Sequence, residues 1–218
     1  MKFMSRKEHN VLAGLLLAAA AASPARADVL VLYDFNSITT PLAASTVGSG
    51  ISASSIGIGV LSWTWTTPAG YLQEGPGAAN TAAAAVATGN YFNFTLTSTA
   101  PMDLSSLTLD GAYGSYANPA GYVVESSVDA YSSMLSTAVF ATAYPTFTTK
   151  TIDLSGASFQ GLSSITFRVF GYCNNFSFLQ FDNVTVNGTL AVPEPSALAL
   201  AGIGMAGLFR LMASRRRN

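Results

Sequence analysis

Acid–base and nucleophilic chemistry need residues that this chain scarcely has. Its one histidine is His9 and its one cysteine is Cys173. Ser-His-Asp and Cys-His catalysis in cis are excluded by that count, as are a Cys/His zinc site and an intramolecular disulfide. Cys173, between Tyr172 and Asn174, reads as a small buried residue, with an intermolecular thiol bridge as the sharper alternative. Two carboxylates flanking a sugar bond can hydrolyse it. Between residues 28 and 191 the glutamates are Glu74, in a Gly-Pro loop, and Glu125, beside Ser126 in a strand. Nothing in their spacing brings them together, so a secreted glycan-active enzyme is the weakest reading and no catalytic residue is assigned. Asp182 stands in an otherwise apolar strand, where an ionised carboxylate needs a partner: hydrogen bonds from a loop, or Arg168. Trp63 and Trp65 share one face of an alternating strand and could stack on a sugar. Leu61 continues that face, which favours the core. Tyr113, Tyr116 and Tyr131 lie near glycine- and serine-rich turns and either face a sugar or cover an edge.

The elements that must hold these residues are strands. Val29–Phe35 is apolar and buried by expectation. Leu61–Thr66 alternates, as do Tyr91–Thr97 in part and Ile165–Phe170 at its odd positions. Leu104–Leu109, Tyr122–Val128, Ala138–Ala143, Thr148–Leu154 and Phe178–Val186 complete a set of about nine, with Gly, Pro, Asn and Ser between them. Ala82–Ala87 reads as one or two helical turns, or a loop. Short strands without a long amphipathic helix predict an all-β antiparallel β-sandwich.

Both ends differ from this body. Lys2, Arg6 and Lys7 precede an uncharged run, Val11–Ala22, too short for a spanning helix of ~20 residues. Pro24 then stops a helix, and Ala25 and Ala27 form an A-x-A site. Residues 1–27 are therefore expected to be a signal peptide, cut after Ala27 by signal peptidase. At the other end Val192-Pro193-Glu194-Pro195 precedes an apolar segment. Ser196–Ala213 would extend ~27 Å as a helix, near the hydrocarbon thickness. Arg210 sits where its stem can snorkel, and Arg215, Arg216 and Arg217 stay in the cytoplasm by the positive-inside rule. Gly202-Ile203-Gly204-Met205-Ala206-Gly207 fits G-x-G-x-x-G, but no strand precedes it and no acidic residue follows at the required distance, so it is no dinucleotide fingerprint. Its glycines suit close helix packing in a membrane. The region between, 28–191, is one domain with nine acidic residues against Lys150 and Arg168, a net charge of −7. That charge excludes nucleic-acid binding.

The triplet Pro193, Glu194, Pro195, the apolar helix and the terminal arginines together resemble the PEP-CTERM sorting signal of Gram-negative bacteria that make extracellular polysaccharide. The resemblance covers residues 192–218. It implies recognition by an exosortase, transient inner-membrane anchoring through the C-terminal helix, and delivery to the cell envelope or extracellular matrix. The prolines agree physically, because they keep the segment extended and open to a processing enzyme. The body in turn resembles the jelly rolls common on such proteins. The matching segments are Ser164–Gly171, the closing Phe181–Gly188 and Tyr122–Tyr131. That resemblance implies a structural calcium held by Asp182 with Asp34 from the first strand, and Asn36 and backbone carbonyls able to contribute. No other cofactor is expected. The leading expectation is a non-enzymatic exported surface or matrix protein. The alternative is a calcium-stabilised carbohydrate-binding module, with extracellular polysaccharide as partner.

Overall fold

The computed structural model describes residues 28–191, apart from 38, 41, 60–62, 67–69, 75–78, 115–119 and 174–177, and apart from the side chains of 63–66 and 74. The expected signal peptide with Ala25 and Ala27, and the expected tail with Pro193, Glu194, Pro195 and Arg215 to Arg217, lie outside the described residues. So does Tyr116. Among the described residues no helix is long and apolar enough to cross a membrane.

Twelve strands and one helix are described. They are β1 (Asp28–Tyr33), β2 (Thr46–Val47), β3 (Ile51–Ala53), β4 (Gly57–Ile58), β5 (Trp63–Thr66), β6 (Tyr71–Glu74), α1 (Ala82–Thr88), β7 (Tyr91–Tyr113), β8 (Ala120–Ser126), β9 (Ser136–Val139), β10 (Thr148–Asp153), β11 (Leu162–Cys173) and β12 (Leu179–Leu190). The main path of the antiparallel sheet runs β2-β1-β12-β7-β11-β8-β9. This is the all-β antiparallel body that the alternation predicts and the jelly-roll-like body that the resemblance implies.

β7 makes the two layers. Its first part, Tyr91–Thr97, pairs with β11, β3 and β4. Its second part pairs with β12 and β10. Sequence alternation suggests two strands here, 91–97 and 104–109, because the apolar phase changes. Phe92, Phe94, Leu96, Met102 and Leu104 are buried at even positions, Leu107 and Leu109 at odd ones. The structure joins them into one 23-residue strand. Asn187 opposes Ser106 and Gly188 opposes Leu104, so Ser105 is the extra residue of a bulge that resets the phase. A second bulge in β1, between Val29 and Val31, buries both Leu30 and Val31.

The core lies between the layers. The Phe92 and Phe181 rings meet edge-on at 5.5 Å, and Phe140 meets Phe181 at 5.6 Å. Phe92 comes from one layer, Phe181 from the other. Gly111 must lack a side chain, because a Cβ there would sit 2.0 Å from the Phe140 ring. α1 forms because Thr81 caps it, its hydroxyl accepting from the Ala84 N–H at 3.2 Å, and because Gly89 ends it with φ 67°. Cys173 is buried, as its setting predicts.

Candidate functional site

Two outward sheet faces gather the polar and aromatic residues. The first belongs to β8, β11 and the first part of β7. Along β11, Ile165, Phe167 and Val169 enter the core, so Thr166 and Arg168 point outward. Glu125 on β8 and Asn93 on β7 stand directly opposite Arg168. Directly opposed residues share a face, so Glu125, Arg168 and Asn93 form one row.

Arg168 is held between rings. Its Cζ lies 3.6 Å from the Tyr131 ring centroid and 4.8 Å from that of Tyr91. Tyr131 reaches this position from an irregular backbone. Ala130 and Tyr131 have φ of 58° and 62°, consecutive non-glycine residues in the left-handed region. Such strain persists where the surroundings impose it. Here the Tyr131 N–H donates to the Ser126 carbonyl at 3.0 Å, the Ala130 N–H to that of Ser127 at 3.2 Å, and the Thr166 N–H to the Ser127 hydroxyl at 2.9 Å. The Ser133 hydroxyl donates to the Asp129 carboxylate. Glu125 is only 5% exposed. Burial pushes its carboxyl above the ordinary range, Arg168 pulls it back, and the Asp129 charge pushes it up again. Toward α1 this face is apolar. Val123, Phe170 and Tyr172 lie beneath α1, with Ala85 fully buried against them, and Tyr91 meets Phe170 at 5.2 Å.

The second face belongs to β10, β12, β6 and the second part of β7. Asp182 stands opposite Asp110, which stands opposite Thr149. Asp110 is fully engaged: Oδ1 accepts from the Thr149 hydroxyl at 2.5 Å and Oδ2 from Asn183 Nδ2 at 2.9 Å. Asn183, with φ 47°, donates its N–H to Asp182 Oδ1 at 2.8 Å. Asp34 Oδ1 accepts from the Asn36 N–H at 3.2 Å. Burial raises the Asp182 carboxyl to about 6; the Asn183 N–H works against this, and the negative charges of Asp110 and Asp34 add to it. Asp34 and Asp182 are thus near enough to repel, the arrangement a shared cation relieves. Among the described residues no three His, Cys, Asp or Glu side chains group closely enough to hold a metal by themselves. A calcium here would need Asn36 and backbone carbonyls beside the two carboxylates.

Arg168 is not the partner of Asp182, one of the two partners the sequence offers. It lies on the other layer, occupied by Tyr131, Tyr91 and Glu125, and Asp182 is served by the adjacent backbone N–H. Glu74 and Glu125 are likewise on different layers, because β6 pairs with β12 and β8 with β11. Trp63 and Trp65 lie in β5 opposite Glu74 and Leu72 of β6; their side chains lie outside the described residues. Tyr113 ends β7, opposite Leu179. Sequence reasoning missed Tyr91 and Asp110 as site residues. Alternation places both outward, but only the pairing of distant strands shows what they meet.

Residues 191–217 match the PEP-CTERM protein-sorting motif, a span that contains Pro193, Glu194, Pro195 and the arginine cluster. A motif of this kind marks an exported protein. No curated protein matches the chain. Among solved structures the chain is similar to the CBM22-1 xylan-binding domain from Paenibacillus barcinonensis, at 14% identity and a TM-score of 0.41, over 78% of this chain and 100% of that one. It is also similar to a cleaved adhesin domain of Lys-gingipain from Porphyromonas gingivalis, at 18% identity and a TM-score of 0.39, over 73% and 98%. A mannan-recognising carbohydrate-binding module gives 13% identity and a TM-score of 0.39, over 75% and 99%. At these TM-scores the neighbours assign no site.

Proposed function

We propose that this chain is a non-enzymatic exported surface or matrix protein, delivered by its sorting tail, whose sandwich binds extracellular polysaccharide on the face that carries Arg168. In this reading residues 1–27 are removed by signal peptidase, 28–191 are the delivered body, and 192–218 address an exosortase. Pro193, Glu194 and Pro195 mark the recognition segment.

The observation that supports binding is the Arg168 row. A cation fixed between two tyrosine rings, beside a buried carboxylate and an amide, offers fixed donors and acceptors next to apolar ring faces. Sugars need both, because a pyranose presents hydroxyls around its rim and C–H groups on its faces. The test is co-sedimentation of the mature protein with polysaccharide from the producing cells. Arg168→Gln should weaken binding at least tenfold with the melting temperature still cooperative. Unchanged binding would overturn the assignment of this face. Mass spectrometry of the mature chain tests delivery, with new termini expected near Asp28 and near Pro193.

A second reading rests on Asp34 and Asp182, whose mutual repulsion a calcium ion would relieve. Its expected sign is a melting temperature raised by calcium and lowered by a chelator. A melting temperature indifferent to both would remove calcium from the account.

A further inference from the structure

We infer that the polymer meets the Arg168 face through a carboxylate, which makes the ligand a sparsely acidic polysaccharide, one carrying an occasional uronate or other carboxyl-bearing sugar. The inference rests on the proposed polysaccharide reading and names its ligand class. It starts from hydrogen bonds that the protein leaves unmade. Between residues 28 and 191 the bases are Lys150 and Arg168, and Lys150 lies on β10, in the other layer. Arg168 is therefore the one guanidinium of the body. Its contacts are the Tyr131 and Tyr91 rings, at 3.6 and 4.8 Å. Among the described residues no oxygen accepts a hydrogen bond from it, and no carboxylate lies within ion-pair distance. Glu125 stands opposite on β8 and acts on it through charge at a distance.

The rings fix the side chain without using its donors. Stacking engages the flat faces of a guanidinium, whereas its N–H groups lie in its plane and form a fork at the edge. Arg168, Tyr131 and Tyr91 each keep part of their surface exposed, so the group is open to a ligand. Asn93, opposite Arg168 on β7, adds an amide that also has no hydrogen-bond partner among the described residues. It leans over Gly57, where any side chain would collide with its Oδ1. A carboxylate is the planar group whose two oxygens match two parallel N–H of the fork. That pair is charge-assisted and roughly twice as strong as a neutral hydrogen bond. A sugar hydroxyl brings one oxygen and no charge. The nearby acids restrict the polymer, not the site. Glu125 is buried and Asp129 is engaged by Ser133, and neither hydrogen-bonds the fork. The net charge of −7 between residues 28 and 191 repels a polymer charged at every sugar. A polymer with scattered carboxylates brings one to Arg168 without crowding others against the acidic body.

The test compares polysaccharide from the producing cells with the same material after its carboxyl groups are reduced to alcohols. Co-sedimentation with the mature protein reads binding. Wild type should bind the native polymer at least tenfold more tightly than the reduced one. Arg168→Gln should bind both alike, at the weaker level. Arg168→Lys keeps the charge and loses the fork, and should lose most of the preference. Melting curves show whether each variant folds; should neither fold, wild type against the two polymers still decides. Equal binding of wild type to native and reduced polymer, or a bound polymer without carboxyl-bearing sugars, overturns the inference and leaves the polysaccharide reading intact. A preference that survives in folded Arg168→Gln puts the carboxylate elsewhere and overturns it too. Wild type that binds neither polymer removes both.

Discussion

On the face of β8, β11 and the first part of β7, the outward polar residues include Asn93, Thr95, Glu125, Thr166 and Arg168. On the face of β10, β12 and the second part of β7 they include Asp110, Thr108, Thr149, Thr151, Gln180 and Asp182. The strand alternation is the same, but the charge is balanced differently. The first face spends the one body arginine on a carboxylate and two tyrosines. The second places carboxylates against each other and settles them with hydroxyl, amide and backbone donors. A face with its cation locked between rings is preorganised. A face with Asp182 raised to about 6 by burial and by its acidic neighbours responds to protons. Two faces of one sandwich can therefore differ in charge balance while sharing a core.

Several substitutions would break or sharpen this contrast. The largest effect belongs to the shared core. Phe181 is buried between Phe92 and Phe140 and supports both faces at once. Phe181→Ala should cost about 3–5 kcal/mol, measured by urea unfolding, and should weaken both faces together. An effect on one face alone would show that the layers are less coupled than the ring contacts indicate. Next is Arg168→Met, which removes the contact with both rings and leaves Glu125 buried beside no cation. The expected loss is about 1–2 kcal/mol. Glu125→Gln in the same chain should restore part of it, the coupling that a double-mutant cycle reads.

Asp182→Asn tests the second face. The Asp182 carboxyl titrates higher in the folded protein than in the unfolded chain, so the folded state holds the extra proton between about pH 4 and about pH 6. Stability from this group is complete below that window and is lost as pH rises through it. The asparagine variant should flatten this slope and, without calcium, stabilise the protein at pH 7. The gain should stay near or below about 1 kcal/mol, because the site is half exposed and screened. With calcium bound the sign should reverse. The smallest effect is Thr81→Ala, which removes the cap of α1 and should cost about 0.5 kcal/mol.

Much of the fold was legible because burial imposes period two. Ile165, Phe167 and Val169 mark a strand on sight, and Phe181, Val184 and Val186 mark another. The bulge at Ser105 was not legible, since a phase change in sequence looks the same as a strand ending. Thr46–Val47, Ile51–Ala53 and Gly57–Ile58 were missed because two or three residues carry no period. The site was legible only residue by residue. Arg168 and Tyr131 were each visible as candidates, 37 positions apart in the chain, but their contact is made by the pairing of β8 with β11 and by the left-handed turn at Ala130 and Tyr131. No spacing rule reports either. Arg168 was accordingly offered to the wrong carboxylate, Asp182 instead of Glu125.

The most direct test of the account is hydrogen–deuterium exchange of the mature protein with and without polysaccharide from the producing cells. Binding on the Arg168 face predicts slowed exchange over residues 123–131 and 166–172. Polymer that binds while leaving the Arg168 row and its tyrosine turn unprotected would contradict it.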